Sequence, residues 1–133
     1  GVQTCALPIL AYDPNNPFAK ILRGELPCKK VYESQHALAF HDIAPMAPVH
    51  VLVIPKGAYL DMDDFSARAS DEEIADFIRA IGQVARQLGL VKAGYRALTN
   101  NGRDAHQTVP HLHVHLFAGR KLGAMIPGGE SNQ

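Results

Sequence analysis

Hydrophobic and polar positions alternate with two different periods along the chain. Ile74, Phe77, Ile78, Ile81, Val84, Ala85 and Leu88 recur at helical spacing, which predicts one long helix with a buried stripe and a wet face. Ser70-Asp71-Glu72-Glu73 ahead of it reads as a capping box, and Gly89 as its stop. A shorter helix opens at Asn16-Pro17, with Asn16 as N-cap, Pro17 at the first helical position and Gly24 just past the end. Phe18, Ile21 and Leu22 give it one apolar face. Strands are predicted over Lys30 to Glu33, Ala37 to His41, His50 to Ile54, Tyr95 to Asn100 and His111 to Ala118. The prolines of Ala44-Pro45-Met46-Ala47-Pro48 exclude a helix or an inner strand there. Residues 101–108 form a polar loop without periodicity, and Asp61-Met62-Asp63-Asp64 reads as a solvated approach to the long helix, without EF-hand spacing. Strands, one long helix, then strands favour an α+β domain: an antiparallel sheet with helices on one side.

The last strand carries the chemistry. His111-Leu112-His113-Val114-His115-Leu116 alternates strictly, so on a strand the three imidazoles share one face while the aliphatic side chains enter the other. One reading is a packed cluster, which costs desolvation energy without evident gain. A second is a metal site, with His50 or His41 completing the shell; it is disfavoured because no Cys or carboxylate lies beside the strand in sequence. The third is nucleophilic catalysis at phosphorus. A neutral imidazole attacks a negatively charged phosphoryl group without charge repulsion, and its neighbours offset the developing charge. The middle residue, His113, is then the nucleophile and the outer two assist.

Composition narrows the partner. The 133 residues suffice for one domain with its own core, and 13 basic residues balance 13 acidic ones. A neutral chain without a basic stripe argues against duplex nucleic acid, so any phosphate it binds is small. No apolar run approaches the roughly 18 residues of a membrane span. Cys5 and Cys28 have no ligand spacing, and a reducing, cytoplasmic compartment is the simplest reading. The apolar stretch from Cys5 to Leu10 lacks the basic flank of a signal peptide. Residues 1–12 read as a non-native or disordered leader, the first ten resembling translated adapter sequence, with a single domain over residues 13–133.

The histidine motif resembles the signature of the histidine triad superfamily. The likeness runs from Asn15 to Pro127, roughly 85% of the chain. Ile21-Leu22-Arg23-Gly24-Glu25-Leu26-Pro27, Ala39-Phe40-His41-Asp42-Ile43-Ala44-Pro45 and Pro48-Val49-His50-Val51-Leu52-Val53-Ile54-Pro55-Lys56 resemble its branch of bacterial-type histidine triad nucleotide-binding proteins. Gln107-Thr108-Val109-Pro110 leading into the triad fits as well. The resemblance implies a five-stranded antiparallel sheet with one long and one short helix, paired in a homodimer into a ten-stranded sheet. It implies hydrolysis of the P–N bond of purine nucleoside 5'-phosphoramidates, such as lysyl adducts of AMP, through a nucleotidyl intermediate on His113. His115 and Thr108 would contact phosphate or leaving group, His111 would bond to backbone and orient its neighbours, and His50 would orient His113 or sit beside it. Asp42 would hold the ribose hydroxyls, Phe40 and Ile43 would line the base pocket, and Asn100, Gln107 and Val109 would complete the nucleotide site.

The chain departs from that pattern in places. Thr108 stands where many relatives have Ser, and His106 where many have Gly. Pro17-Phe18-Ala19-Lys20 stands where some relatives have a CxxC zinc pair near the first helix, so no metal or cofactor is implied. The tail from Gly123 to Gln133 lacks a Trp found in some relatives. Two alternatives remain: a dinucleoside polyphosphate hydrolase of the same superfamily, or a nucleotide-binding interaction protein with incidental catalysis. His115 argues against the transferase branch, which carries Gln there.

Overall fold

The computed structural model describes residues 11–126. Five strands form one antiparallel sheet: β1 (Lys30–Glu33), β2 (Ala37–His41), β3 (Val49–Pro55), β4 (Arg96–Leu98) and β5 (Val114–Ala118). Their order across the sheet is β1-β2-β3-β5-β4. The helices are α1 (Pro17–Leu22), α2 (Met62–Arg68) and α3 (Asp71–Gln87). An α+β, five-stranded antiparallel architecture is thus present as predicted.

The helix ends form for the reasons the sequence suggests. The Asn16 side chain accepts from the Ala19 amide, satisfying one orphan donor at the start of α1. At α3 both halves of the capping box form: the Ser70 hydroxyl accepts from the Glu73 amide, and Glu73 accepts from the Ser70 amide. Helix α2 is an addition. Asp61, read as part of a solvated approach, caps it by accepting from the Asp64 amide, and Phe65 is its one buried anchor. Seven residues with one fully buried side chain, Phe65, and Met62 partly buried leave no period to detect.

The two faces of the sheet bury different cores. Ala37, Ala39, Val51, Val53, Val114 and Leu116 pack with Phe65 of α2 and with Phe77, Ala80 and Val84 of α3. Leu38, Phe40, Leu52 and Ile54 face the other way and pack with Phe18 of α1. The expectation of helices on one side is therefore corrected: α1 covers the opposite face. Because both faces are covered, β2 and β3 are apolar almost throughout rather than alternating.

Two boundaries also move. β4 spans three residues within the predicted Tyr95 to Asn100. β5 begins at Val114, so His111 and His113 precede the ladder in extended chain. The expected leader lies outside the described residues up to position 10. Tyr12, assigned to that leader, is packed against His111.

Candidate active site

The site lies on the α1 face, built by the pairing of β3 with β5. His115 is opposite Leu52 and Phe117 is opposite His50, so these side chains share a face, while Leu116, opposite Val51, enters the α3 core. His113 continues the alternation one step before the strand. His50, His111 and His113 are each at most 4% exposed, so their protonation is set by the surrounding atoms rather than by water.

The hydrogen bonds assign the tautomers of the four site rings. Nε2 of His111 lies 2.9 Å from the Pro55 carbonyl oxygen, which can only accept, so Nε2 carries the hydrogen. Nδ1 of His113 lies 2.7 Å from the His111 carbonyl oxygen; Nδ1 therefore donates and Nε2 keeps its lone pair. The Met46 amide donates to Nδ1 of His50 over 3.1 Å, leaving the hydrogen on Nε2. That Nε2 is 2.9 Å from Nδ1 of His115, which accepts and so holds its hydrogen on Nε2. His113 thus offers an acceptor nitrogen and His115 a donor. Burial holds all four rings below the ordinary histidine value, His111 and His115 down to about 4, so these neutral tautomers are the resting state.

Aromatic packing fixes the ring planes. Phe18 meets His113 edge to face at 5.0 Å between centroids, and Phe117 stacks on His115 at 5.5 Å and 4°. The Thr99 hydroxyl donates to the His113 carbonyl over 2.8 Å. Sequence reasoning missed these three contributors; Phe18 looked like ordinary helix packing, and Thr99 carried no motif.

A cavity of about 480 Å³ opens beside His113 and His115. Its walls include Phe40, Ile43, Leu52, Thr108 and Val109, with Asp42 at its polar edge. Ile43 is 98% exposed, an unpacked aliphatic side chain available to a planar ligand. Asp42 accepts from the Ala44 amide with Oδ1, while Oδ2 lies 3.4 Å from Nε2 of His50.

Other predicted residues stand elsewhere. His50 meets His115 rather than His113. Gln107 spends its side chain on backbone, donating to Leu60 and Val109 carbonyls and accepting from the Gly102 amide, so it fastens the loop instead of facing the cavity. Asn100 lines a separate cavity, with His106, on the other side of His115. His106 has φ +62°, a left-handed conformation that explains why glycine suits this position. For metal ligation, both ring nitrogens of His111 are already engaged. The absence of a neighbouring carboxylate is corrected: Asp42, His50 and His115 bring ligand atoms within 4.8 Å of one another. His50 and His115 already share a hydrogen within that group.

Known proteins are similar to this chain over most of its length. The HIT domain family matches residues 23–122. An uncharacterized 13.2 kDa HIT-like protein of Azospirillum brasilense is 69% identical over 118 residues, covering 89% of this chain and 97% of its own. The purine nucleoside phosphoramidase of Escherichia coli (strain K12) is 38% identical over 109 residues, covering 82% and 91%. The solved structure of a HIT family hydrolase from Clostridium thermocellum superposes with a TM-score of 0.76 at 42% identity, over 84% of this chain and 96% of that one. With the triad, the sheet that carries it and the domain match all agreeing, this chain belongs to the HIT domain family.

Proposed function

We propose that the protein is a hydrolase of purine nucleoside 5'-phosphoramidates acting through a nucleotidyl intermediate on His113. The observation that carries this reading is the tautomer chain, which leaves a lone pair on Nε2 of His113 beside the Nε2–H of His115 at the end of an apolar cavity. In the first step Nε2 of His113 attacks phosphorus and the P–N bond breaks. The positive charge gained by the ring is met by the His111 carbonyl at Nδ1. His115 and the Thr108 hydroxyl donate to phosphoryl oxygens. The bound anion raises the proton affinity of His115, which takes up a proton from solvent on binding and passes it to the departing nitrogen as the P–N bond breaks. Water then displaces His113 and returns that proton, releasing the monophosphate. The base packs against Phe40 and Ile43, and the Asp42 carboxylate, whose Oδ2 lies 3.4 Å from Nε2 of His50, accepts from the ribose hydroxyls. His111, held between backbone groups, orients His113. This reading needs no metal or cofactor.

The relative named purine nucleoside phosphoramidase supports this choice over a dinucleoside polyphosphate hydrolase. Replacing His113 with Ala is expected to abolish turnover of an adenosine 5'-phosphoramidate while AMP binding survives. Retained turnover would remove His113 as nucleophile. Quenched wild-type enzyme should carry labelled nucleotide on a peptide containing His113. Faster cleavage of a diadenosine polyphosphate would favour the alternative hydrolase, and AMP binding without turnover of either substrate would favour an interaction protein.

A further inference from the structure

Two bonds fix His113 through its neighbour, and one of them reaches outside the family match. The Tyr12 hydroxyl lies 2.6 Å from Nδ1 of His111, and the two rings meet edge to face at 5.6 Å and 66°. Tyr12 precedes the segment matched by the HIT domain, which begins at residue 23.

The direction of this bond follows from the other nitrogen. Nε2 of His111 must donate to Pro55, so in the neutral ring Nδ1 is an acceptor, and the hydroxyl of Tyr12 is its donor. The opposite tautomer would turn a lone pair toward the Pro55 carbonyl. Tyr12 is itself held by a built turn. The Asn16 amide and side chain both donate to the Asp13 carbonyl, the Asp13 carboxylate accepts from the Asn15 amide, and Arg23 donates to the Pro14 carbonyl. Asn16 is also the cap of α1, and Phe18 on that helix packs edge-on against both His111 and His113. One short segment thus clamps two of the triad rings from outside the sheet.

We infer that Tyr12 is a positioning residue for the nucleophile: its hydroxyl locks the ring of His111, whose carbonyl in turn holds Nδ1 of His113. The inference rests on the phosphoramidase reading for its kinetic consequence but not for the bond itself. Without the hydroxyl, the His111 ring keeps only its bond to Pro55 and the packing of Phe18, and the carbonyl that holds His113 belongs to that same residue. Small misplacement of a reacting atom costs up to roughly a hundredfold in rate.

The test compares Tyr12→Phe and Tyr12→Ala with wild type, assayed well below each melting midpoint. For Tyr12→Phe, kcat on an adenosine 5'-phosphoramidate should fall about tenfold with KM nearly unchanged, since the nucleotide cavity is untouched. The ¹⁵N resonance of His111 Nδ1 should move toward that of an unbonded acceptor nitrogen. Wild-type kcat in Tyr12→Phe, with a loss only in Tyr12→Ala, would reduce Tyr12 to a packing residue and overturn the proposal. An unmoved His111 resonance would do the same, whatever substrate the enzyme uses. A wild-type enzyme inert toward phosphoramidates would count against the function proposed above, while the resonance still decides the bond.

Discussion

A buried histidine is useful to a nucleophilic mechanism only if it stays neutral and presents the correct nitrogen, and each ring here is constrained on both counts. Carbonyls at Pro55 and His111 demand donors, the Met46 amide demands an acceptor, and the imidazoles between them follow. Keeping the rings neutral has a consequence for stability. In the unfolded chain they take up protons as pH falls through about 6.5; in the folded chain His111 and His115 resist until about 4. Between those values the unfolded state binds more protons, so stability decreases on acidification. Carboxylates such as Glu33, held down to about 2 by Lys56 and Lys30, add their loss only once unfolded carboxyls begin to titrate, nearer 4.5. The midpoint of urea unfolding is therefore expected to drop between about pH 6.5 and about pH 5, where histidines alone titrate. A midpoint constant over that range would contradict the buried neutral assignment. The alternation of the triad made the shared face legible from sequence, because period two needs no tertiary information. The partners did not: His50 against His115, Thr99 beneath His113 and Tyr12 against His111 are separated by 65, 14 and 99 positions.

At the scale of elements, caps and turns were readable and placement on a face was not. The capping box of α3 is a four-residue pattern whose bonds are local, so its sequence determines it. The side of the sheet taken by α1 depends instead on Phe18 finding Leu38, Phe40 and Leu52, a choice made by packing. One turn couples the two site strands directly. Gly119, just past β5, has φ +98°, and a Cβ there would sit 2.7 Å from Cβ of Pro48, which leads into β3 and His50. Both the backbone and the space require glycine. Gly119→Ala should cost about 1–3 kcal/mol in chemical denaturation, through strain and the displaced proline ring. A variant as stable as wild type would mean that the β5–β3 junction yields freely.

For the whole molecule, the two ends of the sheet are finished differently. The order β1-β2-β3-β5-β4 leaves β1 and β4 as edges. Charges guard β1: Glu33 bridges Lys30 at 2.9 Å and Lys56 at 2.7 Å, and ionic side chains along an edge oppose pairing with another strand. At the β4 end the strand's one charged side chain, Arg96, is spent on backbone carbonyls instead, those of Gly123 and Ala124. Among the described residues, Tyr95 just before the strand and Met125 near the chain's end expose apolar surface. A second copy adding its own β4 would continue the ladder into the ten-stranded sheet implied by the sequence resemblance, and would cover those side chains. Light scattering coupled to size exclusion should then give about twice the 14.4 kDa chain mass. A monomer persisting at high concentration would sink the expectation. The four site imidazoles come from one chain and lie on β3, on β5 and just before it, inside the sheet rather than at the β4 edge. A monomer would therefore lack the ten-stranded sheet while leaving the proposed chemistry of His113 to be judged on its own.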